Sequence, residues 1–367
     1  MNDTERLRLA ATLMEGFAVA TGLDGRSRPV RYLWTDAFAV CNFLGLHRAT
    51  GKASWLEFAL RLVDQVHREL GRHRSDDVRQ GWIRGLGEEE GSRHPTRGGL
   101  RIGKPRPERA PGEAFDAHAE WDRDGQHLHY LTQWMHALQR VSVATGQGVF
   151  AAWATELALA AHAAFARGRT PRGIEDLAWK MSIDLRRALV PSMGQHDALD
   201  ALAVYLELQG GADALEREIA DLRPLAAAGP LETGDALGIG ALPTNAYRLA
   251  TLPARGASRE EPLVARLPTV AREGPLRVPA HARLAFRELG LAIGLRAMQE
   301  LRDSGRCAGS LAAALHRVLD YLWLADGIDA CWSDPAHRRS AAWTEHRHIN
   351  DVMLATSLWP DGYLLRL

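Results

Sequence analysis

The sequence predicts an all-α chain built as a closed ring of helical hairpins. Three observations carry this prediction. Helical hydrophobic spacing dominates the chain, a hairpin recurs at an offset of 95 residues, and no strong alternating strand pattern is present.

Residues 4–20 read as an amphipathic helix, with Leu7, Leu9, Ala10, Leu13, Met14 and Phe17 on or near one face. Two longer segments follow, "DAFAVCNFLGLHRATGKASWLEFALRLVDQVHREL" from Asp36 and "LTQWMHALQRVSVATGQGVFAAWATELALAAHAAF" from Leu131. A shift of 95 places Ala49, Thr50 and Gly51 on Ala144, Thr145 and Gly146, Trp55 on Phe150, Phe58 on Trp153, Leu62 on Leu157 and His67 on His162. Each segment is an apolar helix, a glycine-containing turn and an amphipathic helix, which is a helical hairpin. Hairpins that recur must stack to bury their faces.

A third hairpin starts at Asp197, placed like Asp36, with its turn at Gly210 and Gly211. Weaker helical stretches cover 235–252, 282–301 and 310–326, and a last one starts near Ile349. Apolar helices therefore start near 36, 131, 197, 236, 284 and 350, and amphipathic ones near 4, 55, 150, 212 and 309, with 253–280 ambiguous. Six inner helices with about six outer partners predict a closed ring. In it the first helix is the outer partner of the last. One domain is expected over 1–367, with a long Gly-, Pro-, Arg- and Glu-rich insertion at 71–127.

Composition narrows the function classes. Hydrophobic residues make up 46% and charged residues 25% of 367, as in a globular protein with a sizeable core. Lys+Arg and Asp+Glu are both 45, which argues against nucleic acid or an anionic membrane as the main partner. Cys41, Cys307 and Cys331 show no metal or redox spacing and read as reduced thiols. The N-terminus carries Asp3, Glu5 and Glu15 and does not read as a signal peptide, so a cytoplasmic chain is expected. No uncharged apolar stretch reaches membrane-spanning length. No cofactor is expected. "GLHRATGKA" misses the phosphate-loop spacing, and no adjacent Cys-His pair offers a zinc site. The alanine-rich helix at 150–165 permits a homodimer.

Polar clusters gather at the starts of the inner helices: "RYLWTDAF", "DGQHLHYL", "GQHDALDAL" and "RHINDVML". On this pattern and the hairpin periodicity, the chain resembles the six-hairpin glycosidase superfamily, the (α/α)6 toroids. That superfamily includes glycoside hydrolases, unsaturated-uronide hydrolases and sugar 2-epimerases. The resemblance implies a funnel lined by the N-terminal ends of the inner helices and a small carbohydrate as partner.

Helix N-termini attract polar side chains through unpaired N–H groups, so capping alone accounts for single acids such as Asp36, Asp197 and Asp351. It does not account for Trp121, Asp122, Asp124, Gln126 and His129 around one start. Glycoside hydrolysis needs two carboxyls across the scissile bond. Asp122 or Asp124 with Asp197 is the expected pair, and hydrolysis is the first reading. Arg31, Trp34, Asp36, Trp121, Gln126, His129, Lys180, Trp343 and Glu345 would bind and orient the sugar. His94 and Arg97, in "HPTRGGLRIGKP", are candidates for an anionic substituent. The alternative is a sugar epimerase or isomerase with a histidine acid/base pair. There the resemblance implies His196 and His346, with Arg31, as the working groups. A third reading is a non-catalytic binding ring, which requires the cluster from Asp122 to His129 to be internally paired. His67 and His162, repeated on outer helices, are expected to be structural.

Overall fold

The structure, a computed structural model, describes residues 1–170, 173–194, 196–209, 213–229, 231–252, 279, 283–305, 315–316 and 318–364. The chain is all-α, as expected. In chain order the described helices are α1 (Asp3–Ala20), α2 (Leu33–Thr50), α3 (Ala53–Leu70), α4 (Glu88–Arg93), α5 (Ala117–Trp121), α6 (Leu128–Thr145), α7 (Gly148–Phe165), α8 (Asp197–Gln209) and α9 (Glu216–Ala228). They continue with α10 (Ala236–Ala250), α11 (Ala285–Asp303), α12 (Leu322–Ser333), α13 (Ala341–Thr344) and α14 (Arg347–Leu358). The expected inner starts are met within about one turn by α2, α6, α8, α10, α11 and α14. The pairs α2/α6 and α3/α7 are offset by 95 residues at both ends, so the sequence repeat is a repeat of whole helices. The turn at Gly210 and Gly211, the stretch 253–278 and the start of the helix expected near 309 lie outside the described residues.

Burial separates inner from outer helices. Every residue of α8 from Asp197 to Glu207 is buried, whereas α3 buries a stripe (Trp55, Ala59, Leu62, Val63, Val66, Leu70) and exposes Asp64 and Arg68 between. α7 is long and apolar enough to cross a membrane by length and composition. It also packs against α6 and α8, and its His162 shares a hydrogen bond with Asp221 of α9 at 3.1 Å.

The described residues form two compact units. One comprises Met1–Ala20, Cys41–Leu56 and Pro230–Leu367, the other Thr21–Val40 and Glu57–Gly229. In the first, α1 packs on α14, as the ring topology requires of the first and last helices. α10 packs on α11 at backbone contact: a Cβ on Gly240 would lie 2.1 Å from the Gly290 carbonyl oxygen. Only glycine permits that approach. Asp329 gathers Arg6 at 2.7 Å, Arg296 at 2.9 Å and the Ser357 hydroxyl at 2.5 Å, so its buried charge is compensated.

In the second unit, α6 and α8 lie side by side and bridge twice with the same sequence offset of 71. His129 Nδ1 meets Asp200 at 2.8 Å and His136 Nδ1 meets Glu207 at 2.9 Å. Equal offsets two turns apart require the helices to run parallel. His67 is a core residue that accepts the Trp134 indole N–H at 3.2 Å, and burial lowers its pKa to about 3. Short strands, unseen in the sequence, brace the start of α6. β1 (Gln126–His127), β4 (Lys180–Met181) and β5 (Ala188–Val190) form an antiparallel sheet, and β2 (Ala166–Arg167) pairs with β3 (Asp176–Leu177).

Candidate active site

The loop from Glu120 to His127 explains most of the charge that crowds the start of α6. Asp124 is 0% exposed. Its Oδ1 accepts the Gly103 N–H at 3.0 Å and the Gly125 N–H at 3.1 Å, and its Oδ2 pairs with Arg101 at 2.9 Å. The expectation that Asp124 works on substrate is corrected: it is a loop anchor, because a buried carboxylate must be paired where it sits. Gln126, expected at the sugar, is likewise buried. Its side chain bonds the Leu100 N–H at 2.8 Å and the Ile183 carbonyl at 2.6 Å. Lys180 is buried too, with Nζ donating to the Glu120 and Arg123 carbonyls at 2.7 and 2.8 Å and lying 3.0 Å from the Glu120 carboxylate. Burial pulls its pKa down. Gly125, at φ +150°, threads this junction, where a Cβ would sit 2.8 Å from the Met181 carbonyl oxygen.

The internal pairing expected of a non-catalytic ring holds for Asp124, Gln126 and His129, while Asp122 stays in solvent. His129 is the second residue of α6 and is half-buried. Trp34, the second residue of α2, donates its indole N–H to His129 Nε2 at 3.1 Å. Indole nitrogen only donates, so Nε2 is the acceptor and Nδ1 carries the proton that goes to Asp200. Trp34 is buried against Phe38, so it orients the imidazole rather than stacking on a sugar as expected.

Asp197, the first residue of α8, stands beside this pair. One ligating atom each from His129, Asp197 and Asp200 lie within 4.8 Å of one another. Asp197 is 4% exposed, and its Oδ2 accepts a single N–H, from Gly194, at 3.0 Å. Burial raises its pKa to about 7, with the Asp200 charge adding to the rise and His129 opposing it. The three side chains offer a nitrogen and two oxygens to a cation. His129, however, already uses both ring nitrogens within the protein, which disfavours it as a ligand. Asp197 is also not the counterpart of Asp36. Asp36 is the fourth residue of α2, a place that Asp200 holds in α8.

Aromatic and hydroxyl groups continue from the cluster through Tyr130, whose ring lies 6.2 Å from that of His129. Tyr32 and Tyr130 share a 2.6 Å hydrogen bond between hydroxyls. Burial raises both phenol pKa values, and Lys104 lies over the Tyr32 ring at 5.4 Å. His127 stacks on Tyr130 and meets the Trp179 edge, and burial holds its pKa well below the usual value. Trp121 is 53% exposed and packs its edge on Trp179, leaving an indole surface in solvent. Asp122 is exposed at the end of α5, within electrostatic reach of Lys104.

Arg31 lies near Asp36 at 3.5 Å and donates to the Thr21 carbonyl at 2.6 Å, leaving its buried Nε without a partner. Burial raises the Asp36 pKa to about 6, against the pull of Arg31. His94 pairs with Glu156 at 2.6 Å and Arg97 with Glu90 at 2.7 Å, so each already holds an acidic partner. His196, half-buried, precedes α8, and its carbonyl accepts the Asp200 N–H at 2.9 Å. In the other unit, Trp343 is buried against Trp332, Glu345 is exposed at the end of α13, and His346 immediately precedes α14 with its ring beside Phe286. Sequence reasoning missed Asp200, Tyr32 and Tyr130. The signal for Asp200 was its i, i+3 spacing from Asp197, which puts both on one helix face.

No sequence-family profile and no curated protein matches the chain. Among solved structures, it aligns with the cellobiose 2-epimerase from Bacillus thermoamylovorans B4167 at 10% identity and a TM-score of 0.47, over 92% of this chain and 88% of that one. A sugar epimerase from a ruminal bacterium aligns at 9% identity and 0.47, over 89% and 87%. The cellobiose 2-epimerase from Spirochaeta thermophila DSM 6192 aligns at 14% identity and 0.44, over 89% and 86%. The likeness is one of fold, at low identity.

Proposed function

We propose that this protein is a carbohydrate epimerase or isomerase that moves a proton at the carbon beside a sugar carbonyl. The observation that carries the reading is Asp197: a buried carboxyl with a pKa of about 7, set against an imidazole held in one tautomer by Trp34 and Asp200. A group that titrates near neutrality both takes and returns a proton. In the proposed step the substrate C–H bond breaks, an O–H bond forms on Asp197, and the electron pair moves onto the carbonyl oxygen as an enediolate. Return of that proton by Asp197 to the neighbouring carbon gives the isomeric sugar, and the epimer forms when a proton reaches the original carbon from the opposite face, delivered by a second donor such as water. The Tyr32 and Tyr130 hydroxyls and the exposed Trp121 ring suit a polyhydroxylated substrate.

Hydrolysis, the first reading of the sequence, is less well supported. Of the carboxyls expected to pair with Asp197, Asp124 is buried and held by Arg101, and Asp200, the carboxyl beside Asp197, is engaged by His129. The test is proton NMR in deuterium oxide with free aldoses and disaccharides. The reading expects loss of the signal of the proton beside the carbonyl, and no loss with Asp197→Asn. Release of a reducing sugar from a glycoside, with no exchange into free sugar, would reinstate the hydrolase.

A further inference from the structure

We propose that a cavity at the start of α14 binds a phosphate dianion, either inorganic phosphate or a phosphate monoester. The cavity, about 350 Å³, is lined by Arg338, Arg339, Trp343, Thr344, Arg347 and Asp351. Three guanidinium groups therefore face one carboxylate. Surface arginines are common, but these are under-used. The Arg338 Nε is buried without a hydrogen-bond partner, and its Nη2 reaches the Ser333 carbonyl only at 3.4 Å. The exposed Arg339 guanidinium has no ion pair among the described residues. Arg347 Nε stands 3.5 Å from Asp351 Oδ2, longer than a charge-assisted hydrogen bond.

A buried N–H left unmade costs free energy, and an arriving acceptor recovers it. Arginine forks match the oxygens of phosphate two at a time. Three forks with one opposing carboxylate leave two positive charges, which match a dianion better than a carboxylate. The helix adds to this, since the positive end of the 12-residue α14 begins at Arg347. Trp343, itself buried, lines the cavity beside the arginines.

The site is tested by isothermal titration calorimetry at low ionic strength, with inorganic phosphate, glucose 6-phosphate and acetate as separate titrants. Saturable phosphate binding is expected, with no binding of acetate at the same concentration. Arg339→Gln and Arg347→Gln, both at exposed positions, should each weaken it roughly tenfold, the loss of one charged hydrogen bond. Binding of phosphate alone supports a free-anion site, and binding of both phosphates supports a monoester site. Absence of saturable phosphate binding, equal binding of acetate, or unchanged affinity in either variant overturns the proposal. The readout is binding, so its failure is separable from failure of the proton-transfer reading.

Discussion

Replacing Asp197 with Asn removes a carboxyl that burial holds far from its ordinary pKa. The native value is about 7 against 3.8 for the free group. A tenfold change in a proton-binding constant is worth about 1.36 kcal/mol, so an ionised Asp197 costs the native state up to about 4 kcal/mol. Linkage sets the sign. Below pH 3.8 the group is neutral folded or unfolded, and its contribution to stability is fully present. Between the two values the native state binds the proton and the unfolded state does not, so stability falls as pH rises. Above about pH 7 the loss is complete. Asn is neutral throughout, and its carbonyl can still accept the Gly194 N–H. Asp197→Asn should therefore change stability little at pH 4 and raise it by about 2–4 kcal/mol at pH 8, while abolishing proton exchange. Urea denaturation of both proteins at the two pH values checks this. A difference that is the same at pH 4 and pH 8 would refute the reasoning, because it would mean that Asp197 ionises in the native state as it does in water.

Three further outcomes are expected. Long-range nitrogen NMR should show His129 as the Nδ1–H tautomer, with that preference weakened in Trp34→Phe; an Nε2–H tautomer in the wild type would refute the assignment of Trp34 and Asp200 as the groups that hold the ring. Glu207→Gln should cost about 3–5 kcal/mol by denaturant titration, because it breaks a pair whose members, His136 and Glu207, are both buried; a cost under about 1 kcal/mol would mean that the pair does not hold the α6–α8 register. Gly125→Ala should cost about 1–3 kcal/mol, since φ is +150° and the methyl would meet the Met181 carbonyl, and hydrogen exchange should rise in β1.

Helix starts were legible because inner helices are apolar on every side and hairpins repeat at a fixed offset. Whole-helix correspondence between Leu33–Thr50 and Leu128–Thr145 could be read from three turn residues. The strands were not legible, since two or three residues carry no period. Site residues were mixed for a different reason. Clustered ionisable groups show where charge is concentrated, but not which charges the fold uses itself. Asp122, Asp124 and Gln126 look alike in sequence. In the structure Asp124 and Gln126 are buried and fully engaged, while Asp122 stays in solvent. Asp200 is hidden in the sequence because acids at a helix start are accounted for by capping and the helix dipole.

The two His–carboxylate bridges between α6 and α8 differ in a way that bears on function. His136 and Glu207 are both buried and hold the helices in parallel register. His129 and Asp200 repeat that geometry two turns nearer the helix starts, where His129 is partly exposed and a third group, Asp197, has been added. Register alone needs one bridge. A second bridge with an extra buried carboxyl weakens the fold at neutral pH, through the same proton linkage. The loop braces act against that loss: Asp124 and Lys180 fix the segment that leads into α6, so the His129 ring is oriented before any ligand arrives. A site whose supporting shell is over-determined and whose centre carries an unfavourable ionisation is the arrangement expected where strain serves chemistry. The crowded charge at the start of α6 is therefore mostly structural, and His129 with the carboxyls facing it is the part of it that the proposed proton transfer would use.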